Sequence, residues 1–211
     1  MKGNKISIFK TKSDLYLNFE NNNEKIMLIT GLSGSGKSTL TQNILNKEKG
    51  YKVSLDLSFF HGYLEVITEE EQHLIEKFKR EYPEWSQEIF EKSILKEKMY
   101  IKYSNLFYDF AIDNFKKINE PLIIEGGQIF KYIDINKIKD KKIIIKRTSL
   151  ITCSIRRLKR TIKQLNKKIK LNQINKKQYI KSILIDIKHI ITHHPKWYKK
   201  LNLFIEKVTK R

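Results

Sequence analysis

Three groups of residues in this 211-residue chain carry chemistry in their type and spacing. The first is Gly31-Leu32-Ser33-Gly34-Ser35-Gly36-Lys37-Ser38, followed by Thr39, which fits G-x-x-x-x-G-K-[ST]. In that pattern the glycines let backbone N–H groups converge with a helix N-terminus on phosphate oxygens. Lys37 adds a point charge at the β and γ phosphates, and the Ser38 hydroxyl is placed to coordinate Mg²⁺. Gly31, Ser33, Gly34, Ser35, Gly36, Lys37, Ser38 and Thr39 are therefore the expected nucleotide contacts. Chance produces such a match on the order of one per cent of the time in a chain of this length.

The second group is Asp56, 19 residues after Lys37 in VSLDLSFF. An Asp at a strand exit has three readings: a base for a substrate hydroxyl, a group that helps to organise Mg²⁺ and water, or a turn or N-cap residue. The third is Glu125, which closes LIIE ahead of Gly126 and Gly127. A carboxylate after a buried strand is suited to the Mg²⁺ shell opposite the lysine, and the glycines let backbone or ligand come close; the other reading is a strand-end acid exposed to water.

These side chains must be positioned by the elements around them. IMLIT, running into the glycines, is a continuous apolar run of the kind buried on both faces of a parallel sheet. Leu40, Ile44 and Leu45 repeat at helical spacing, with Gly50 at the expected helix C-cap. YKVSLD at 51–56, PLIIE at 121–125 and KIIIK at 142–146 read as further strands, and LNLFIE at 201–206 as a fainter one. Residues 6–9 and 15–19 alternate around Thr11-Lys12-Ser13-Asp14 and read as an N-terminal hairpin. Strands separated by helical segments predict a layered α/β sheet in a single domain, with 57–120 as a helical insertion.

Charge is uneven along the chain. The formal net charge is +20, which suits polyanionic partners. Residues 69–125 hold 13 Asp and Glu against 9 Lys and Arg, whereas 131–170 hold 15 basic residues against two acidic ones. The lone Cys153 points to a reducing, cytoplasmic setting. No run of apolar residues spans a bilayer, and neither a signal peptide nor a membrane partner is expected.

Together GLSGSGKST, VSLD and LIIEG resemble the P-loop kinase superfamily over about residues 25–165. They look like the motifs of uridine-kinase-like, zeta-toxin-like and polynucleotide 5′-hydroxyl kinases. The resemblance implies a three-layer P-loop NTPase fold with a mostly parallel five-stranded sheet, the loop strand at its centre. It implies ATP and Mg²⁺ as donor, Asp56 as the base, and a mobile arginine-bearing lid. The implied reaction moves the γ-phosphoryl group to a hydroxyl of a small-molecule or nucleotide-type acceptor, which residues 57–120 would bind. Leu57 stands where uridine-kinase-like enzymes carry a second Asp, so the acceptor stays open.

The lid is sought after the fourth strand, in residues 148–170. Leu150, Ile151, Ile155, Leu158, Ile162 and Leu165 mark one helical face there. Arg156 and Arg160 share another side with Arg157 nearby, a placement that fits arginines closing over phosphates and equally a solvated basic helix. Arg147 is a further candidate.

A rival reading is a P-loop ATPase that couples hydrolysis to a partner or to nucleic acid, since the hairpin is similar to strands preceding the loop in ATPase domains. Glu125-Gly126 lacks the Asp-Glu pair by which such proteins polarise water. Nucleic acid also enters as an acceptor, through the basic residues of 131–200 and a polynucleotide-end kinase activity. His189 and His193, four apart, offer two of the ligands a metal needs but no third, and His193-His194-Pro195 reads as a helix C-terminus.

Overall fold

The computed structural model describes residues 6–9, 26–47, 49–55, 69–85, 96–115 and 120–210. Among them five strands form one sheet: β1 (Ile6–Phe9), β2 (Ile26–Thr30), β3 (Tyr51–Ser54), β4 (Leu122–Glu125) and β5 (Lys142–Lys146). Their order is β1-β5-β2-β4-β3, and every pairing is parallel. Leu28 lies level with Ile124 on one side and Ile143 on the other, so β2 is central.

The helices are α1 (Lys37–Leu45), α2 (Glu69–Glu81), α3 (Lys96–Phe115), α4 (Gln128–Tyr132), α5 (Ile135–Ile138), α6 (Leu150–Lys170) and α7 (Lys176–Thr209). Successive strand residues point to opposite faces of the sheet. Met27, Ile29, Ile123 and Ile144 therefore meet Leu40 and Ile44 of α1 on one face. Leu28, Ile124, Ile143 and Ile145 join the larger core on the other, with Phe78 of α2, Phe107 of α3 and Leu201 and Phe204 of α7. Burial on both faces is what makes these strands read as unbroken apolar runs.

Chain order gives the sheet its site. From β2 the chain moves outward to β3, returns through β4 beside β2, and then places β5 on the opposite flank. The direction of winding thus reverses at β2, where open α/β sheets form a crevice beyond the strand carboxyl ends.

Several expectations change. The fainter strand at 201–206 is helical, and α7 runs through His193-His194-Pro195 without stopping. Proline in a helix interior costs about 3 kcal/mol through its missing N–H and its clash with the preceding turn. Leu201, Phe204 and Val208 lie beyond it at helical spacing and are all buried; at about 1.5–3 kcal/mol each they outweigh that cost. Gly50 is not a C-cap, because α1 ends at Leu45 with Asn46 as its cap. A side chain on Gly50 would collide with the carbonyl of Pro121, so this glycine admits the entry to β4. The first hairpin strand pairs in parallel with β5, and its proposed partner at 15–19 lies outside the described residues, as do parts of the 57–120 insertion.

Candidate functional site

The glycine loop joins β2 to α1. Gly34 and Gly36 have φ values of 82° and 92°, in the left-handed region that disfavours any side chain. Gly36 is the N-cap of α1 and no side chain caps that helix, so its first N–H groups lack an internal acceptor. The first turn holds no acidic residue that would repel an anion. Lys37, 6 % exposed, donates from Nζ to the Leu32 carbonyl at 3.0 Å, which folds the ammonium back over the loop. Ser35 Oγ is buried with no hydrogen-bond partner, a polar atom aimed into the same loop. Ser33 is half-buried, while Ser38 and Thr39 are exposed at the start of α1.

Glu125 ends β4 beside this loop and is 4 % exposed. Its carboxylate accepts from Ser38 Oγ at 3.1 Å and from Thr41 Oγ1 at 2.7 Å, and Lys52 Nζ lies 3.2 Å away. The backbone ties the two strand ends together. Gly126 N–H donates to the Ile29 carbonyl at 3.0 Å and Thr30 Oγ1 donates to the Gly126 carbonyl at 2.8 Å. Ser38 and Glu125, chosen from the sequence as metal ligands, are thus brought into contact across 87 positions.

These two hard oxygen donors suit Mg²⁺, which takes one or two protein oxygens and fills its remaining positions with phosphate and water. Such a site requires no larger cluster, and no group of three or more His, Cys, Asp or Glu able to hold a metal occurs among the described residues. The histidine pair at 189 and 193 accordingly gains no third ligand there. Lys52 balances Glu125 while the carboxylate is otherwise buried, and a cation held by Glu125 would have to share it with that ammonium.

Asp56 lies outside the described residues. Leu55, the residue before Asp56, donates its N–H to the Glu125 carbonyl at 2.7 Å, so β3 is paired to the very end of β4. Sequence reasoning missed Glu71 of α2, which is 1 % exposed and accepts from the Ser54 N–H at 2.5 Å. Burial raises its pKa; the Ser54 bond and the Lys52 charge oppose the shift and the Glu125 charge adds to it. A signal was present, because Glu71 stands in register with Leu74, Ile75 and Phe78, the apolar stripe of α2.

The arginines divide. Arg157 is held by Asp186 of α7, with Nε and Nη2 each 2.8 Å from Oδ1, and Thr161 donates to the same carboxylate. Arg156 and Arg160 are exposed, and Arg147 is half-buried. The start of α6 and the residues leading into it rest on the glycine loop: Thr148 Oγ1 donates to the Ser35 carbonyl at 3.1 Å, and the Cys153 carbonyl in the first turn abuts Gly34. Burial raises the pKa of the Cys153 thiol, while the charges of Lys37 and Arg156 both reach it and lower it. Arg156 and Lys37 are therefore both near enough to Cys153 for their charges to act on its thiol.

The arrangement gathers loop amides, one ammonium, one buried unbonded hydroxyl and one metal-competent carboxylate at the carboxyl ends of β2 and β4, a set suited to a polyphosphate. No protein-family model and no curated protein matches this chain.

Proposed function

We propose that the chain is a P-loop phosphotransferase that moves the γ-phosphoryl group of ATP to an acceptor hydroxyl. The observation that carries this reading is the contact of Ser38 with Glu125 at the carboxyl ends of two adjacent strands, beside the glycine loop and Lys37. In this reading the loop amides, Ser35 and Lys37 hold the donor phosphates. Ser38 and Glu125 hold Mg²⁺, which when bound neutralises charge on the phosphate oxygens.

Asp56 accepts the acceptor proton as the new oxygen–phosphorus bond forms and the bond to the ADP oxygen breaks. Its candidacy is supported by Leu55, whose backbone is bonded to the end of β4. Exposed Arg156 and Arg160 close over the transferring group and exclude water. Arg157, engaged by Asp186, anchors the helix on which they ride. The acceptor is drawn from hydroxyl compounds and is bound by segments of 57–120.

The test incubates the purified chain with labelled ATP and a panel of hydroxyl acceptors, with water alone as the comparison. One labelled acceptor product supports the reading; free phosphate in every mixture with no product overturns it in favour of an ATPase. Asp56→Asn should retain ATP binding while transfer falls by about 10²-fold or more, the usual contribution of a general base. Undiminished transfer would show that another group takes the proton.

A further inference from the structure

A second feature lies on the antiparallel pair α6 and α7, independent of any reading of the glycine loop. Side chains that join the helices fix their contact line: Ser154 with His194, and Arg157 and Thr161 with Asp186. At about 100° per residue, Ile151 and Ile155 sit roughly a quarter turn round α6 from that line, and Ile180, Leu184 and Ile191 the same rotation round α7. In an antiparallel pair equal rotations of one sense bring both sets to the same side. The hairpin therefore presents one apolar face, with Ile151 72 % and Ile191 68 % exposed and the other three about half exposed or more.

Lysines border this face on both long edges. Lys159, Lys163 and Lys170 stand on the outer side of α6, and Lys177, Lys181 and Lys188 on that of α7, all exposed. A concavity of about 460 Å³ on α7 is lined by Lys177, Ile180, Lys181, Leu184, Ile185 and Lys188; it lies on the helix surface rather than at the glycine loop. Residues 150–210 carry 17 Lys and Arg against two acidic residues, and 141–185 carry no Asp or Glu at all.

Composition selects the occupant. A second copy would bring the same lysines together, and like charges repel. Protein interfaces are depleted in lysine and anchored by aromatic residues, and the exposed face consists of Ile and Leu. Single-stranded nucleic acid stacks on aromatics and gains nothing from bare aliphatic side chains. Aliphatic side chains flanked by snorkelling lysines match the interface of an anionic bilayer, where the chains enter the acyl boundary and the ammonium groups meet headgroup phosphates. No helix among the described residues is long and apolar enough to cross a membrane, so the contact is in the plane of the surface.

We propose that the α6–α7 hairpin docks flat on an anionic lipid surface through Ile151, Ile155, Ile180, Leu184 and Ile191, with the six lysines at its rim. This departs from the sequence expectation that membranes are no partner.

The test sediments the 211-residue chain with vesicles of about three parts phosphatidylcholine to one part phosphatidylserine, and with phosphatidylcholine alone, at about 0.1 M salt. Binding to the acidic vesicles alone, weakened by added salt, is expected. Lys177→Gln, Lys181→Gln and Lys188→Gln should each weaken it about fivefold, and together on the order of a hundredfold. Ile180→Gln with Leu184→Gln should cost at least about tenfold, while Leu184→Met preserves binding. Unchanged melting temperatures verify that these exposed substitutions leave the fold intact. The proposal is overturned by a chain that ignores acidic vesicles, by lysine variants that bind as well as the parent, or by binding of single-stranded RNA without vesicle binding. Self-association that Leu184→Gln abolishes, with no vesicle binding, would likewise reassign the face to a second copy.

Discussion

Glu71 shows how one side chain on the wrong-looking face of a helix reports on a site. It occupies a position where α2 otherwise buries Leu74, Ile75 and Phe78, and its acceptance of the Ser54 N–H holds α2 to the end of β3. Burial is the largest influence on its pKa and raises it above the ordinary 4.5. Between 4.5 and the raised value the folded chain keeps a proton that the unfolded chain has lost, so stability falls as pH rises through that interval. Glu71→Gln keeps an acceptor for Ser54 but has no proton to lose. The variant should melt with the parent near pH 4.5 and at a higher temperature than the parent by pH 8. A variant less stable than the parent at pH 8 would show that the ionised carboxylate is needed by Lys52. At this scale the sequence displayed Lys37, Ser38 and Glu125 because motif and strand end coincide. It hid the partners Lys52 and Thr41, since nothing in their local pattern says that the sheet and α1 deliver them to Glu125.

Elements meet at the glycine loop through backbone as well as through side chains. A Cβ on Gly34 would run into the carbonyl of Cys153 in the first turn of α6, whereas one on Gly36 would have open space. Both glycines have positive φ, so alanine at either meets a conformational cost of about 1 kcal/mol. Gly34→Ala must in addition push α6 away from the loop. Thermal melts of the two variants should place Gly34→Ala lower by several degrees; equal melting temperatures would mean that α6 moves aside freely. The loop and its flanking strand and helix were legible because an apolar strand, a glycine pattern and a helical repeat follow one another directly. Residues 201–206 misled because Leu201, Leu203 and Ile205 alternate as in a strand, while the residues that are buried, Leu201, Phe204 and Val208, follow the helical period. Pro195 compounded the error, since local rules end a helix there and only tertiary burial continues it.

Across the whole molecule the charge asymmetry of the sequence becomes a shape: a sheet core holding the acidic groups Glu71 and Glu125, and a basic helical hairpin whose first turn touches the loop. The join between them is a cluster that no local pattern announced. His194 is fully buried, its Nδ1 3.0 Å from Ser154 Oγ, and the His189 ring packs tilted against His193 and edge-on against Trp197. Lys131 Nζ lies 3.5 Å over the Trp197 ring, bringing α4 into the same contact. Burial first, and then the Arg157 charge, lower the pKa of His189 and of His194 to about 4, with His193 adding to the repulsion at both, Lys131 adding to it at His194, and Asp186 opposing it. Unfolded histidines take up protons below about pH 6.5, whereas these two stay neutral in the folded chain until about 4. The unfolded state binds more protons over that window, so stability is lost as pH falls from 6.5 toward 4, by on the order of a few kcal/mol in all. The protons would also arrive beside Arg157, the residue that ties α6 to Asp186, so the hairpin should loosen before the sheet. Melting temperature should fall more steeply between pH 7 and 5 in the parent than in a chain carrying His189→Gln and His194→Gln, and hydrogen exchange should rise first in α6 and α7. Parallel falls in the two chains would assign the acid limb to carboxylates elsewhere, and early exchange in β2 and β4 would mean that acid opens the core rather than the hairpin.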